Sequence, residues 1–339
     1  MKDFVIPKAL KRGDTIALIS LSGGRAGDED MRYRYQTGKE RLEEIWGVKV
    51  IPTPNALKGS QFLYEHPEAR AEDLMWALKN KEVNGIICMM GGDDSYRVFP
   101  YIDLEVIQEN PKVFMGYSDI ASWMAVFAKA GVRAYYGPNL LTPIARPVEL
   151  DEYTKAAITK TVFATDCIGE VVPCTEYTNI EWRKVKREEI EWTSNSGYKL
   201  LQGEGIVRGR LFGGTAGPLR QIMGTRYFPD EDFWKGCILA LESFGPYGSV
   251  LASLHDLRAL DAAGVFKNLS GIITGKLSDE EEQMWLKFLK YEAKREDIPV
   301  LTNVDFIHRT PMTVLPMGAL AEIDCKNVTF RILESGVEE

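Results

Sequence analysis

Val113-Phe114-Met115-Gly116-Tyr117-Ser118-Asp119-Ile120-Ala121-Ser122-Trp123-Met124-Ala125-Val126-Phe127-Ala128-Lys129 reads as strand, sharp turn and helix. The apolar run ends at Gly116-Tyr117, and Trp123, Met124, Val126 and Phe127 continue as a helix-like stretch. Ser118 stands at the apex. A serine there is clear of the sheet, and the N–H groups that follow it lie at a helix N-terminus, where unpaired donors suit a developing oxyanion. This segment alone leaves two roles open for Ser118: helix N-cap or nucleophile.

Around this segment, strand-like and helix-like runs alternate. Thr15–Leu21, Val48–Pro52 and Val83–Met90 read as strands. Residues 30–46 read as a helix with Tyr33, Thr37, Leu42 and Ile45 inward, and Pro67–Asn80 as a helix with Leu74 and Leu78 on one face. Such alternation predicts an α/β fold, with a mostly parallel sheet flanked by helices. Sites in these sheets gather beyond the carboxyl ends of the strands, so the Gly91-Gly92 turn and Ser118 are expected to face each other.

The second half differs. Residues 174–202 are polar but carry Tyr177, Trp182, Trp192 and Tyr198 without a clean period, which reads as a linker with a functional loop. Its aromatics are either a ligand-stacking platform or a small cluster pinning the loop. Strand-like runs resume at Gly205–Phe212, Cys237–Glu242, Leu269–Thr274 and Pro299–Phe306, and Ala319–Leu333 looks like a closing pair of strands. The expected organisation is therefore an N-terminal α/β domain over 1–165, a linker and substrate loop over 166–204, and a C-terminal α/β or β-rich domain over 205–339. A chain of 339 residues is long for a single core, which favours the same division.

Composition narrows the function classes. With 45% hydrophobic and 27% charged residues the chain is an ordinary globular protein. A net charge of −8 without a basic run argues against a nucleic-acid partner. The opening residues lack a signal-peptide core and no apolar stretch is long enough to span a bilayer, so a cytoplasmic protein without a membrane partner is expected. Five scattered cysteines lack zinc spacing, and no structural metal is expected.

Three histidines make the search for a base short. His66 sits in a polar turn, and His255 lies inside a helical run as a packed or solvated residue. His308 follows an apolar run in Asp305-Phe306-Ile307-His308-Arg309, where a base for serine belongs. The histidine needs an acceptor to fix its tautomer. Glu242 ends the buried-looking run Cys237–Leu241, where an unpaired charge is expensive. It is either that acceptor or a structural carboxylate held by the N–H groups of Ser243 to Gly245, and Asp305 is an alternative acceptor. The α/β-hydrolase elbow Gly-x-Ser-x-Gly is not met, because Ile120 occupies the second glycine position. Glu188-Glu189 and Glu280-Glu281-Glu282 read as solvated faces.

Six segments in order resemble the serine peptidase family of LD-carboxypeptidases and microcin C self-immunity peptidases. They are Leu10-Lys11-Arg12-Gly13-Asp14-Thr15-Ile16-Ala17, Gly91-Gly92-Asp93-Asp94-Ser95, Gly116-Tyr117-Ser118-Asp119, Gly209-Arg210-Leu211-Phe212-Gly213-Gly214, Leu241-Glu242 and Asn303-Val304-Asp305-Phe306-Ile307-His308. The resemblance implies a cytoplasmic, homodimeric amide hydrolase without a cofactor, in which Ser118 is the nucleophile, Glu242 the orienting acid and His308 the base. It also implies oxyanion donors at the Gly92 and Asp119 N–H groups, and substrate contacts from Asp93, Trp182 and Thr215. The Gly-Gly-Asp-Asp-Ser segment and the Trp-bearing loop look more like the immunity branch, whose substrates are aminoacyl- or peptidyl-nucleotides and whose loop tryptophan stacks on adenine. The alternatives are an LD-carboxypeptidase trimming muropeptide tetrapeptides and a ligand-binding protein on the same scaffold. Three departures stand out: Ile307 where glycine is common, Thr215 where asparagine is common, and Leu21 in place of proline.

Overall fold

The computed structural model describes residues 4–179, 190–242 and 249–339. The first sheet is built on β1 (Thr15–Ile19), β2 (Lys49–Pro52), β3 (Val83–Cys88), β4 (Val113–Gly116) and β5 (Tyr135–Tyr136). These pair in parallel in the spatial order β5-β4-β3-β1-β2, and Leu315–Pro316 closes the β5 edge antiparallel. β1 and β4 are buried at every position, as parallel strands covered on both faces require. Between β1 and β3 the strand order reverses, which is where sites gather in such sheets, and the loops after these two strands stay in contact, the Gly23 N–H donating to the Gly91 carbonyl at 3.0 Å. Ser22, Gly91 and Ser118 all follow strand carboxyl ends at this edge.

The helix Arg32–Trp46 is rotated from its expected phase. Its buried row is Arg34, Gly38, Leu42 and Trp46, while Tyr33 is 48% exposed and Thr37 and Ile45 are half-buried. Arg34 turns inward because its guanidinium donates to the Leu141 carbonyl, and Gly38 lies where a side chain would strike Leu140. Glu281 also departs from the solvated face expected of it. It is 3% exposed and closes a capping box with Ser278 at the start of the helix Asp279–Lys287.

The second sheet has a parallel centre of Ile206–Thr215, Cys237–Glu242, Gly271–Ile273 and Val300–Thr302. Leu320–Asp324 and Thr329–Ile332 form the expected closing pair beside it. The stretch 166–204 supplies both outer edges, through Gly169–Glu170 and Lys199–Gln202. Glu176–Asn179 pairs instead with Arg309–Thr310 and Thr193–Ser194 in a small third sheet.

One apolar cluster runs through both large sheets, taking in Trp123 and Tyr136 as well as Leu211 and Phe212. Gly214 allows the close approach. A Cβ there would lie 2.7 Å from the Ala121 Cβ and 3.1 Å from the Tyr136 ring, and its φ of 137° suits glycine alone.

Ile307 meets a comparable accommodation. Its side chain is 7% exposed, and a Cβ on Gly275 would fall 2.3 Å from its Cγ2. The β-branched residue beside His308 therefore fills the volume that a glycine leaves open. Gly275→Ala should destabilise the protein by about 1–3 kcal/mol, the usual cost of overpacking. Combining it with Ile307→Ala should cost clearly less than the sum of the two single changes, as read from urea denaturation of all three variants. Additive costs would show that the two side-chain volumes are not coupled.

Candidate active site

Ser118 has a φ of 66°, the left-handed region that non-glycine residues seldom occupy, and begins the single 3₁₀ turn Ser118–Ile120 ahead of the helix Ala121–Ala130. The cap position belongs to Tyr117, and no side chain caps the turn. The Ser118 hydroxyl instead lies 2.8 Å from His308 Nε2, while its backbone N–H donates to the Tyr136 hydroxyl at 3.3 Å.

Glu242 is 2% exposed at the end of its strand. Its carboxylate accepts from the His308 backbone N–H at 3.0 Å, and His308 Nδ1 lies 2.8 Å from both of its oxygens. Thr215 adds a donor to Oε2 at 3.2 Å, and the sheet register explains why, since Thr215 and Glu242 are Cα partners on adjacent parallel strands. Residues Ser243 to Gly245, the other donors considered for Glu242, lie outside the described residues. A proton on Nδ1 bonded to the carboxylate leaves Nε2 as an acceptor for the Ser118 hydroxyl. Burial of the His308 imidazole opposes its protonation, but the charge and hydrogen bond of Glu242 outweigh this and raise its pKa above the ordinary imidazole value. The Tyr117 ring braces the imidazole at a centroid distance of 5.1 Å.

The other two histidines lie elsewhere. His66 pairs with Glu68 at the start of a helix, and His255 is exposed on the helix Val250–Ala262. Asp305, the alternative acceptor, is engaged by the Cys174 N–H at 2.8 Å and the Tyr153 hydroxyl at 3.3 Å.

The turn after β3 presses against Ser118. A Cβ on Gly91 would lie 2.9 Å from Ser118 Oγ and 3.4 Å from the Asp119 nitrogen. Gly92 and Asp93 are exposed beside it, and the Asp93 carbonyl accepts from Gln221 Nε2 at 3.4 Å. The turn is anchored from below. Buried Arg70 grips Asp94 with two hydrogen bonds of 2.8 and 3.0 Å, and Arg97 adds a third at 2.8 Å.

Asp119 ties this turn to the serine. Its buried carboxylate accepts from the Ser22 hydroxyl at 2.6 Å and the Ser95 N–H at 2.8 Å, and its carbonyl accepts from Ser122 at 3.0 Å. Burial outweighs these bonds and raises the carboxyl pKa. Sequence reasoning missed Ser22, Ser95, Tyr117 and Tyr136. A hydroxyl at a strand's carboxyl end was the available signal for Ser22 and Tyr136, but that position alone does not separate a site residue from a packed one. Trp182 lies outside the described residues. Among the described residues no group of three His, Cys, Asp or Glu is arranged to hold a metal, and no helix is long and apolar enough to cross a membrane.

Residues 16–137 match the LD-carboxypeptidase N-terminal domain and residues 208–323 the LD-carboxypeptidase C-terminal domain. The chain belongs to this family. It is a serine peptidase. It is 29% identical to the microcin C7 self-immunity protein MccF of Escherichia coli, across 95% of this chain and 94% of MccF. It is 27% identical to a Bacillus subtilis protein named for murein peptide carboxypeptidase activity, across 98% of this chain and 95% of that protein. Among solved structures, an MccF-like protein from Streptococcus pneumoniae in complex with AMP superposes with a TM-score of 0.85 at 28% identity, covering 94% of this chain and 98% of its own.

The raised His308 pKa has a sign that is open to test. An imidazole beside an anionic carboxylate keeps its proton to higher pH, whereas burial alone drives it off at lower pH. In Glu242→Gln the charge disappears and the burial remains, so the His308 ring should titrate below the ordinary imidazole value instead of above it. Proton NMR titration of the three-histidine protein follows both forms. An unchanged His308 titration would mean that Glu242 does not set its charge.

Proposed function

We propose that this peptidase cleaves an amide bond through an acyl-enzyme formed on Ser118, with His308 as base and Glu242 as its orienting acid. The observation that carries this reading is the 2.8 Å contact between His308 Nε2 and Ser118 Oγ, with the opposite ring nitrogen held by Glu242. Ser118 Oγ attacks the scissile carbonyl carbon as its proton passes to His308 Nε2. The oxyanion forms against the Gly92 and Asp119 N–H groups, each contributing about 3–4 kcal/mol to the transition state when well placed. Collapse breaks the C–N bond, and the imidazolium hands its proton to the leaving amine. Water then attacks the ester with His308 again as base, releasing the acid and restoring Ser118.

For the substrate, the reading is an aminoacyl- or peptidyl-nucleotide of the processed microcin C type. The AMP complex of the Streptococcus pneumoniae relative supports it, as does a solved structure of MccF with aspartyl sulfamoyl adenosine. Trp182 is assigned the purine-stacking role, a contact of about 1–3 kcal/mol. Asp93, exposed beside Gly92, is assigned a substrate contact at the mouth of the site. A homodimer is part of the same reading.

Wild-type and Ser118→Ala proteins incubated with aspartyl sulfamoyl adenosine and with a muropeptide tetrapeptide should give Ser118-dependent release of aspartate from the nucleotide, detected by mass spectrometry. Release of terminal D-alanine alone reassigns the protein to muropeptide trimming. Turnover that survives Ser118→Ala removes the mechanism, and binding without turnover of either compound favours a ligand-binding protein. Trp182→Ala should lower kcat/KM on the nucleotide by about 5- to 150-fold, the equivalent of that stacking range, and spare a muropeptide.

A further inference from the structure

The contacts around the serine close into a ring. The Ser118 N–H donates to the Tyr136 hydroxyl at 3.3 Å, Tyr136 lies 2.7 Å from Thr215 Oγ1, and Thr215 lies 3.2 Å from Glu242 Oε2. Glu242 holds His308 Nδ1, and His308 Nε2 returns to Ser118 Oγ. The proton directions follow from the two ends. A backbone N–H only donates and a carboxylate only accepts, so Tyr136 gives its proton to Thr215 and Thr215 gives its own to Glu242. Each hydroxyl has one proton, and both are used within the ring.

From this geometry we infer that Thr215 and Tyr136 are positioning residues for the catalytic groups, and that Thr215 is not a hydrogen-bond donor to substrate. The inference rests on the Ser118 mechanism proposed above and changes the role first expected of Thr215. Thr215 fixes which carboxylate oxygen faces the strand, so that the carboxylate meets His308 Nδ1 squarely. Tyr136 carries the same constraint to the left-handed Ser118 backbone, whose N–H has its acceptor in that hydroxyl. The tyrosine is suited to this because burial, followed by the charge of Glu242, pushes its pKa far up and keeps its proton available for donation. Register provides the placement. Tyr136 pairs with Gly116 in the first sheet and Thr215 pairs with Glu242 in the second, so the ring joins the two sheets through the ends of four strands. The groups that face Glu242 and His308 here are Thr215, Tyr136, Ser118 and the Tyr117 ring.

The test compares Thr215→Val, which keeps the shape and loses the hydroxyl, with Thr215→Ser, which keeps the hydroxyl, and with Tyr136→Phe. Three readouts are needed: the rate at which a fluorophosphonate modifies Ser118, the His308 titration by NMR, and kcat and KM on aspartyl sulfamoyl adenosine. Thr215→Val and Tyr136→Phe should slow modification and lower kcat by about 10- to 100-fold, the range for residues that orient primary ligands, with KM little changed. Thr215→Val should also move the His308 titration upward, because a carboxylate relieved of one donor holds the imidazolium proton more tightly. Thr215→Ser should restore all three. A rise in KM with kcat and titration unchanged would return Thr215 to substrate contact and overturn the inference, as would wild-type values throughout. The mechanism itself is judged separately. If a fluorophosphonate does not label wild-type Ser118, the acyl-enzyme reading fails, and the His308 titration still decides whether Thr215 holds the carboxylate.

Discussion

A carboxylate buried at the end of a strand constrains this whole site. An ionised group taken out of water costs several kcal/mol unless donors surround it. Glu242 finds them in His308, through both the backbone N–H and the ring, and in Thr215. Two of these donors belong to His308, six residues beyond the strand Val300–Thr302, and the loop between must fold back over the sheet edge to deliver them. The conformation that satisfies the charge is the same one that carries His308 Nε2 to the serine.

On the facing side the constraint is steric and conformational. The sheet reverses its order between β1 and β3, the loops after these strands are tied together by the Gly23 N–H on the Gly91 carbonyl, and the turn after β4 packs against them. Ser118 accepts a left-handed backbone there because its surroundings hold it, with the Tyr136 hydroxyl on its N–H and the Asp119 carboxylate locked to Ser22 and Ser95. Gly91 closes the arrangement, since any side chain at that position would occupy the space beside the serine oxygen. Ser118 and His308 thus follow strands of different sheets, and the Tyr136–Thr215 contact links the hydrogen bonds that hold the two.

Much of this was legible in the chain. Strand, turn and helix around Ser118 follow from one apolar run, one glycine and one helical stretch. Glu242 was visible as a charge ending an apolar strand, and His308 by elimination among three histidines. What escaped depends on neighbours remote in sequence. Arg34 reads as a surface residue until the Leu141 carbonyl is placed beside it, and the helix Arg32–Trp46 turns accordingly. Glu281 is the exception, missed for a local reason: it reads as one of a solvated run, but the capping box with Ser278 three residues earlier draws it inward. Tyr136 reads as one aromatic of a buried strand, and only the joining of the two sheets gives its hydroxyl an acceptor on Thr215 and a donor on Ser118.

Ile307 and Thr215 show how the frame accommodates the side chains that border the site. Ile307 is a bulky neighbour of His308, yet its side chain enters the space left by Gly275, and His308 stands 2.8 Å from Ser118. Thr215 is short, and its hydroxyl reaches the neighbouring strand's carboxylate at 3.2 Å. Both side chains are taken up by packing or hydrogen bonding within the second sheet and its loops. Variation at those positions can therefore leave the reacting atoms in register. Gly92 and Asp93 are exposed beside the serine, yet a Cβ on Gly92 would strike Ser22 Oγ at 2.2 Å. A change at Asp93 therefore meets solvent, whereas one at Gly92 or at the buried strand ends has to be absorbed by the packing and hydrogen bonds around Ser118.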